Sequence, residues 1–128
     1  MKPFCEIIVH MILPGIRALL AKELMETHQL TQEQTATKLG VSQAAVSQYR
    51  RELRGSRVKL LQKDKKILEQ INNLAAFLIN ENADSPKILS EVCSICRAVR
   101  EQKLICPAHK SAMPGLKSCT SCESCQGC

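Results

Sequence analysis

A single glycine between two short helical segments constrains the fold of this chain more than any other feature of its sequence. Thr31 is followed three residues later by Gln34, a capping-box arrangement that begins a helix at Gln32. Gly40 can take the left-handed conformation that ends this helix in a sharp turn. Ser42 then caps a second helix. Short helices joined by so tight a turn must pack closely, which requires a small residue on the first helix and apolar residues on the second.

The second of these helices has an inner and an outer face. Ala36 on the first helix, with Val46 and Tyr49 on the second, supplies the small and apolar side chains that close packing requires. The outer face carries short or amide side chains suited to base edges in the DNA major groove, and the two glutamines are suited to pairing with adenine. These predicted DNA contacts are Ser42, Gln43, Ala44, Ser47 and Gln48. A helical hairpin with no role in DNA binding is the alternative.

The net charge of +6 is concentrated just after this helix. Eight basic and two acidic residues lie between Arg50 and Lys66, so this stretch carries the whole excess. We interpret it as a surface for a polyanion, with a solvated helix face as the alternative. The arginines that follow the second helix are predicted to hold DNA phosphates: Arg50, Arg51, Arg54 and Arg57. Gln32 and Lys38, on the first helix, are weaker candidates.

The segment Leu30 to Arg51 resembles the helix-turn-helix of the lambda-repressor and Cro class, and the wider run from Leu13 to Tyr49 resembles a group of predicted archaeal transcriptional regulators. The resemblance implies an all-helical DNA-binding domain, placed here at residues 1–58, that usually acts as a dimer on a palindromic double-stranded operator. Such a domain usually ends in two compact helices. Here the sequence predicts one long helix in their place.

Residues 59–82 are predicted to contain this long connecting helix, from Leu60 to Asn80. Its apolar positions step by four, three and four residues, with Leu60 one heptad earlier, as in a short coiled-coil seam: Ile67, Ile71, Leu74 and Leu78. The seam predicts a homodimer. Packing of the same face against the DNA-binding domain of its own chain is the alternative, and both can hold if the helix has two apolar faces.

The first residues of the chain are apolar, and Phe4 to Leu13 is predicted to form a buried helix, followed by a second helix from Leu13 to about His28. Glu6 and His10 interrupt the apolar run and argue against a signal peptide. No stretch approaches the roughly 20 apolar residues of a membrane span. We therefore expect a cytoplasmic protein without a membrane partner. No Ser/His/Asp arrangement or pair of carboxylates indicates an enzyme.

Seven of the eight cysteines lie in residues 83–128, which we predict to be a small cysteine-rich metal-binding tail. Pro86 opens a predicted helix to about Arg100, and the three-residue step places Cys93 and Cys96 on one face of it. In a reducing compartment such density favours a thiophilic metal over disulfides. The candidate ligands are Cys93, Cys96, Cys106, Cys119, Cys122, Cys125 and Cys128. We expect the first three to be ligands, with a fourth from the terminal run. Beyond Lys103 we expect no ordered structure without a ligand.

Two metal centres fit this tail. The repeat of cysteines at every third residue from Cys119 is typical of ligands to a [4Fe–4S] cluster. Cys93, Cys96, Cys106 and His109 offer a zinc site instead. A metal-free thiol switch is a third possibility. The sequence therefore predicts a regulator that senses redox or iron state, with a constitutive regulator carrying structural zinc, or an iron–sulfur electron-transfer or carrier protein, as alternatives.

Overall fold

Helices account for all the regular structure that the computed structural model describes, which covers residues 4–104, 106–113 and 115. This confirms the all-α prediction for these residues. The elements are α1 (Phe4–Ile7), a π-helical turn (Ile8–Ile12), α2 (Leu13–Glu26), α3 (Gln32–Leu39), α4 (Gln43–Glu52), α5 (Ser56–Lys63), α6 (Lys65–Asn80), α7 (Pro86–Glu101) and α8 (Cys106–Ala112). No helix in this described part is long and apolar enough to cross a membrane.

Helix α2 lies at the centre and contacts α3, α4, α5 and α6. Its side chains Ile16 and Leu24 are completely buried in an aliphatic core. Gly15 lets α5 approach closely, because a Cβ atom at that position would lie 3.2 Å from Val58 Cγ2 and 3.4 Å from Leu61 Cδ1. The central position of α2 means that the helix-turn-helix formed by α3 and α4 is supported from one side by a single rigid element.

The two helices predicted on either side of Leu13 are joined without a loop. The Leu13 N–H donates to the carbonyl of Ile8, five residues back, so the chain widens into a π-helical turn. Pro14 explains the widening, because it has no N–H to donate to the carbonyl four residues before it. Ile8 and Ile12 are buried, whereas Val9 is 50% exposed. The π-helical turn thus keeps the apolar N-terminal residues on the core side of α2.

The prediction of a single long helix from Leu60 to Asn80 is wrong. The chain leaves helical geometry at Asp64, with φ −88° and ψ 105°, and α6 begins after it. The Asp64 carboxylate accepts hydrogen bonds from the backbone N–H groups of Lys66 at 3.0 Å and Ile67 at 3.1 Å. An aspartate that caps a new helix in this way competes with continuation of the old one. Helices α2 to α6 therefore make five, ending in two compact helices.

The predicted coiled-coil seam lies inside the chain. Each of its four residues on α6 is at most 2% exposed, and α6 packs against α2 on one side and α7 on the other. Helix α7 begins where Pro86 predicts, with the Ser85 hydroxyl accepting a hydrogen bond from the Ile88 N–H at 3.2 Å. The apolar face of α6 is thus covered by its own chain and is not available as the predicted dimer seam.

The tail beyond Lys103 contains regular structure in its described part, contrary to the sequence prediction. Helix α8 follows α7 after a short turn and contacts α1, so it meets the other end of the described chain. The average composition of the region predicts no buried core, whereas a short helix needs only a few residues that pack against a neighbour. The terminal residues 116–128 lie outside the part that the structure describes.

Candidate nucleic-acid interface

The local signals that begin and end α3 and α4 are present as predicted. The Gln34 N–H donates to Thr31 Oγ1 at 3.1 Å, and the Thr31 N–H donates to Gln34 Oε1 at 3.0 Å, which completes the capping box. Gly40 has φ +67° and ends α3 in the left-handed conformation. Ser42 Oγ accepts from the Ala45 N–H at 3.1 Å. These bonds fix the angle between α3 and α4.

The inner face of α4 packs as the sequence predicts. Ala36, Val46 and Tyr49 belong to one small cluster, in which Val46 is completely buried and Tyr49 is 9% exposed. The same cluster contains Ala18 and Ala21 of α2, two residues that the sequence analysis did not single out. The sequence feature that could have identified them is the three-residue spacing of two small side chains on one helix face, which lets α4 approach the α2 backbone closely.

Burial changes the titration of the one tyrosine in this cluster. Removal from water raises the pKa of the Tyr49 phenol above its ordinary value, because the charged phenolate is poorly solvated there. The Arg17 guanidinium opposes this rise, and the Glu52 carboxylate adds to it. The phenol is therefore neutral at physiological pH, and Tyr49 contributes to this interface as a packing residue.

The outer face of α4 is open to solvent. All five side chains predicted to contact bases are exposed: Ser42, Gln43, Ala44, Ser47 and Gln48. Gln32, at the start of α3, is half-buried, and its Oε1 accepts a hydrogen bond from the Ser47 hydroxyl at 3.2 Å. This bond brings Gln32 to the edge of the same surface. The predicted contact residues thus form one continuous polar face at the N-terminal end of α4.

Basic side chains continue this surface beyond the C-terminal end of α4. Arg50 and Arg51 occupy the last turn of α4, where their positive charge also interacts favourably with the helix dipole. Arg54 lies in the following turn and Arg57 in the first turn of α5, and all four arginines are exposed. Lysines on α5 and at the start of α6 are also exposed: Lys59, Lys63, Lys65 and Lys66. These exposed positive charges can attract a polyanion.

The described cysteines do not by themselves make a metal centre. Cys93 is exposed on α7, Cys96 is half-buried against the core, and Cys106 is half-buried at the start of α8. Among the described residues, no three His, Cys, Asp or Glu side chains are grouped so that they could hold a metal ion. The other predicted ligands lie outside the described residues: Cys119, Cys122, Cys125 and Cys128. The side chain of His109 is also outside the described part.

Comparison with known proteins agrees with this geometry. Residues 22–63 match the helix-turn-helix family, a segment that runs from the C-terminal half of α2 to the end of α5. The match covers 42 of the 128 residues and supports the resemblance to the lambda-repressor and Cro class. The match does not test the resemblance to archaeal regulators. The cysteine-rich region lies outside the matched residues. No curated protein and no solved structure matches the chain.

Proposed function

We propose that this chain is a sequence-specific DNA-binding transcriptional regulator that places α4 in the major groove. The observation that carries the proposal is the two-faced character of α4. Its inner side chains, Val46 and Tyr49, are buried against α2 and α3, while its outer side chains are exposed, and all of them except Ala44 have donor and acceptor groups that can read base edges. The match to the helix-turn-helix family over residues 22–63 supports the same function.

The exposed arginines give the proposed complex its orientation. Phosphate contacts fix the register of a protein on the duplex, and base contacts supply specificity. Arg50 and Arg51 lie at the end of α4 that is opposite to Ser42, so a helix of this length can reach bases with one end and a phosphate strand with the other. The excess of positive charge between Arg50 and Lys66 favours association with DNA in general.

The proposed regulator acts as a homodimer in the cytoplasm, on an operator with two half-sites. The support for a dimer is the resemblance to dimeric repressors. The apolar face of α6 gives no further support, since it is buried within the chain. A dimer with two-fold symmetry requires half-sites separated by about 10 base pairs or a multiple of one helical turn. A palindrome with this spacing, in duplexes selected by the protein from a random library, would support the dimer. Selection of single half-sites would contradict it.

The salt dependence of binding tests the role of the arginines. We expect Arg50→Ala and Arg51→Ala each to lower the slope of log affinity against log salt concentration by about 0.9, because each removes one phosphate contact. The measurement is fluorescence anisotropy of a labelled duplex selected from a random library. Arg97→Ala is the matched control, since Arg97 is an exposed arginine on α7 and should leave the slope unchanged. An unchanged slope in both α4 variants would contradict the proposed docking.

We further propose that the cysteine-rich region binds a [4Fe–4S] cluster through which the regulator senses redox or iron state. The support is the density and spacing of the seven thiols between Cys93 and Cys128. Cys93, Cys96 and Cys106 do not form the centre alone, so the terminal cysteines must supply ligands. A cluster would provide a group whose charge changes on oxidation.

Anaerobic purification followed by an absorption spectrum and metal analysis tests this second part. A broad visible band with bound iron and sulfide is the expected result, and both should decrease when Cys93→Ser and Cys96→Ser are combined. Cys5→Ser is the matched control, because Cys5 lies far from the other seven cysteines in the sequence, and a lone cysteine in an apolar segment is usually a small packing residue. A colourless protein with bound zinc would contradict the cluster and favour a structural zinc tail.

A further inference from the structure

Lys38 makes a long-range hydrogen bond that none of the roles described above explains. It lies in the last turn of α3, and its Nζ donates to the backbone carbonyl of Ile79 at 2.9 Å, across 41 residues of sequence. Ile79 is in the last turn of α6, where carbonyl groups have no amide partner within the helix. The ammonium group also lies at the negative end of the α6 dipole. This lysine therefore joins the end of α3 to the end of α6.

The helix-turn-helix and the end of α6 also come close together at a second point. A Cβ atom placed at Gly40, in the turn between α3 and α4, would be 3.7 Å from the Cβ of Ala83. Ala83 belongs to the segment between α6 and α7, where the Ser85 N–H donates to the Asn82 carbonyl at 2.9 Å and Ser85 begins α7. We call residues 79–85 the α6–α7 junction. The helix-turn-helix thus meets this junction at two points.

The hydrogen bond of Lys38 argues against the simpler role that the sequence gives it. A lysine in a helix-turn-helix is usually interpreted as a phosphate ligand. Here the side chain is half-buried and its ammonium group is directed to a backbone carbonyl of its own chain. The exposed arginines after α4 have no such bond. Lys38 is therefore placed to act on the orientation of α3 and α4.

We propose that Lys38 is a positioning residue, which holds the helix-turn-helix against the α6–α7 junction and so sets the angle at which α4 meets DNA. The proposal rests on the proposed DNA-binding function. Its physical basis is that α3 and α4 are joined by one tight turn and packed together, so a shift at the end of α3 is passed directly to α4. The junction leads into α7, which carries Cys93 and Cys96, so it is one place where the cysteine-rich region meets the DNA-binding unit.

Replacement of the amine tests the proposal. Lys38→Met keeps the apolar stem and removes the donor, whereas Lys38→Arg keeps a donor. With a duplex selected from a random library by the full chain, we expect Lys38→Met to bind about fivefold more weakly, a typical size for coupling between sites. Its binding to a scrambled duplex and its salt slope should equal those of the unsubstituted protein. Lys38→Arg should restore most of the affinity, and hydrogen exchange at residues 39–42 should be faster only in Lys38→Met.

Three results would overturn the proposal, and each has a different meaning. A salt slope lowered by about 0.9, with equal loss on both duplexes, would make Lys38 a phosphate contact. Unchanged affinity in Lys38→Met with a lower thermal midpoint would make the bond purely stabilising. Failure of the unsubstituted protein to distinguish the selected from the scrambled duplex would remove the proposed function itself. The circular dichroism of both variants, measured at the binding temperature, shows that they are folded.

Discussion

Tyr49 connects the packing of the DNA-binding unit to a property that can be measured directly. It is the only tyrosine of the chain, which has no tryptophan, so its ionisation can be followed by near-ultraviolet absorbance without interference from another aromatic residue of these types. Burial raises the pKa of its phenol, and the folded protein therefore keeps the proton at pH values where the unfolded chain has lost it. In that window the unfolded state binds fewer protons, so the free energy of unfolding falls as pH rises.

We expect the tyrosinate absorbance of the folded protein to appear only above pH of about 10, the ordinary value. The contribution of Tyr49 to stability is complete below that pH and is lost as the pH rises through the folded pKa. Tyr49→Phe keeps the ring, so its free energy of unfolding should fall less over the same alkaline window. Comparison of the two proteins cancels the effect of the lysines. A phenol that titrates at or below its ordinary pKa would contradict the burial of Tyr49.

At the scale of the elements, the turn between α3 and α4 depends on one glycine. Gly40 has φ +67°, a conformation that costs about 1–2 kcal/mol for a residue with a Cβ atom. Gly40→Ala should lower the free energy of unfolding by about that amount in urea titrations, and Gly40→Asn should lower it less, because asparagine tolerates this region better. Space is not the cause, since the nearest side-chain atom would be 3.7 Å away. If Gly40→Ala were as stable as the unsubstituted protein, the left-handed conformation of Gly40 would be contradicted.

The elements that could be predicted from the sequence are those fixed by neighbouring residues. The capping box at Thr31, the left-handed Gly40 and the Ser42 cap each involve residues within four positions of one another, so their pattern is visible in the sequence. The break at Asp64 is equally local, but the regular apolar spacing on both sides of it outweighed a single capping aspartate in our prediction. Periodicity reports that a face is buried and does not report where a helix is interrupted.

Other features depend on residues far apart in the sequence and could not be predicted from it. The seam of α6 has the same pattern whether a second chain or its own α2 and α7 covers it. The bond from Lys38 to Ile79 joins a side chain to a backbone carbonyl, and a carbonyl has no sequence signature. The exposure of the five outer residues of α4 was predictable, because it follows from the helical period once its inner residues are assigned.

At the scale of the molecule, the proposed DNA-binding surface and the described cysteines Cys93, Cys96 and Cys106 lie on different helices. The exposed faces of α4 and α5 carry the polar and basic residues, whereas α7 packs on α6 and α8 contacts α1. Between them lies the α6–α7 junction, which meets both the turn after α3 and the start of α7. Under the proposal, a change in the cysteine-rich region would reach the DNA-binding unit through this junction.

The central claim is that α4 reads bases in the major groove, and the most direct test is the base preference of glutamine variants. With a duplex selected by the unsubstituted protein, affinity is measured for Gln43→Ala, Gln48→Ala and the control Gln102→Ala, which alters an exposed glutamine after α7. The account predicts that each α4 variant binds about tenfold more weakly and tolerates changes at one base pair, while its salt slope is unchanged. Full affinity and unaltered base preference in both α4 variants would contradict it.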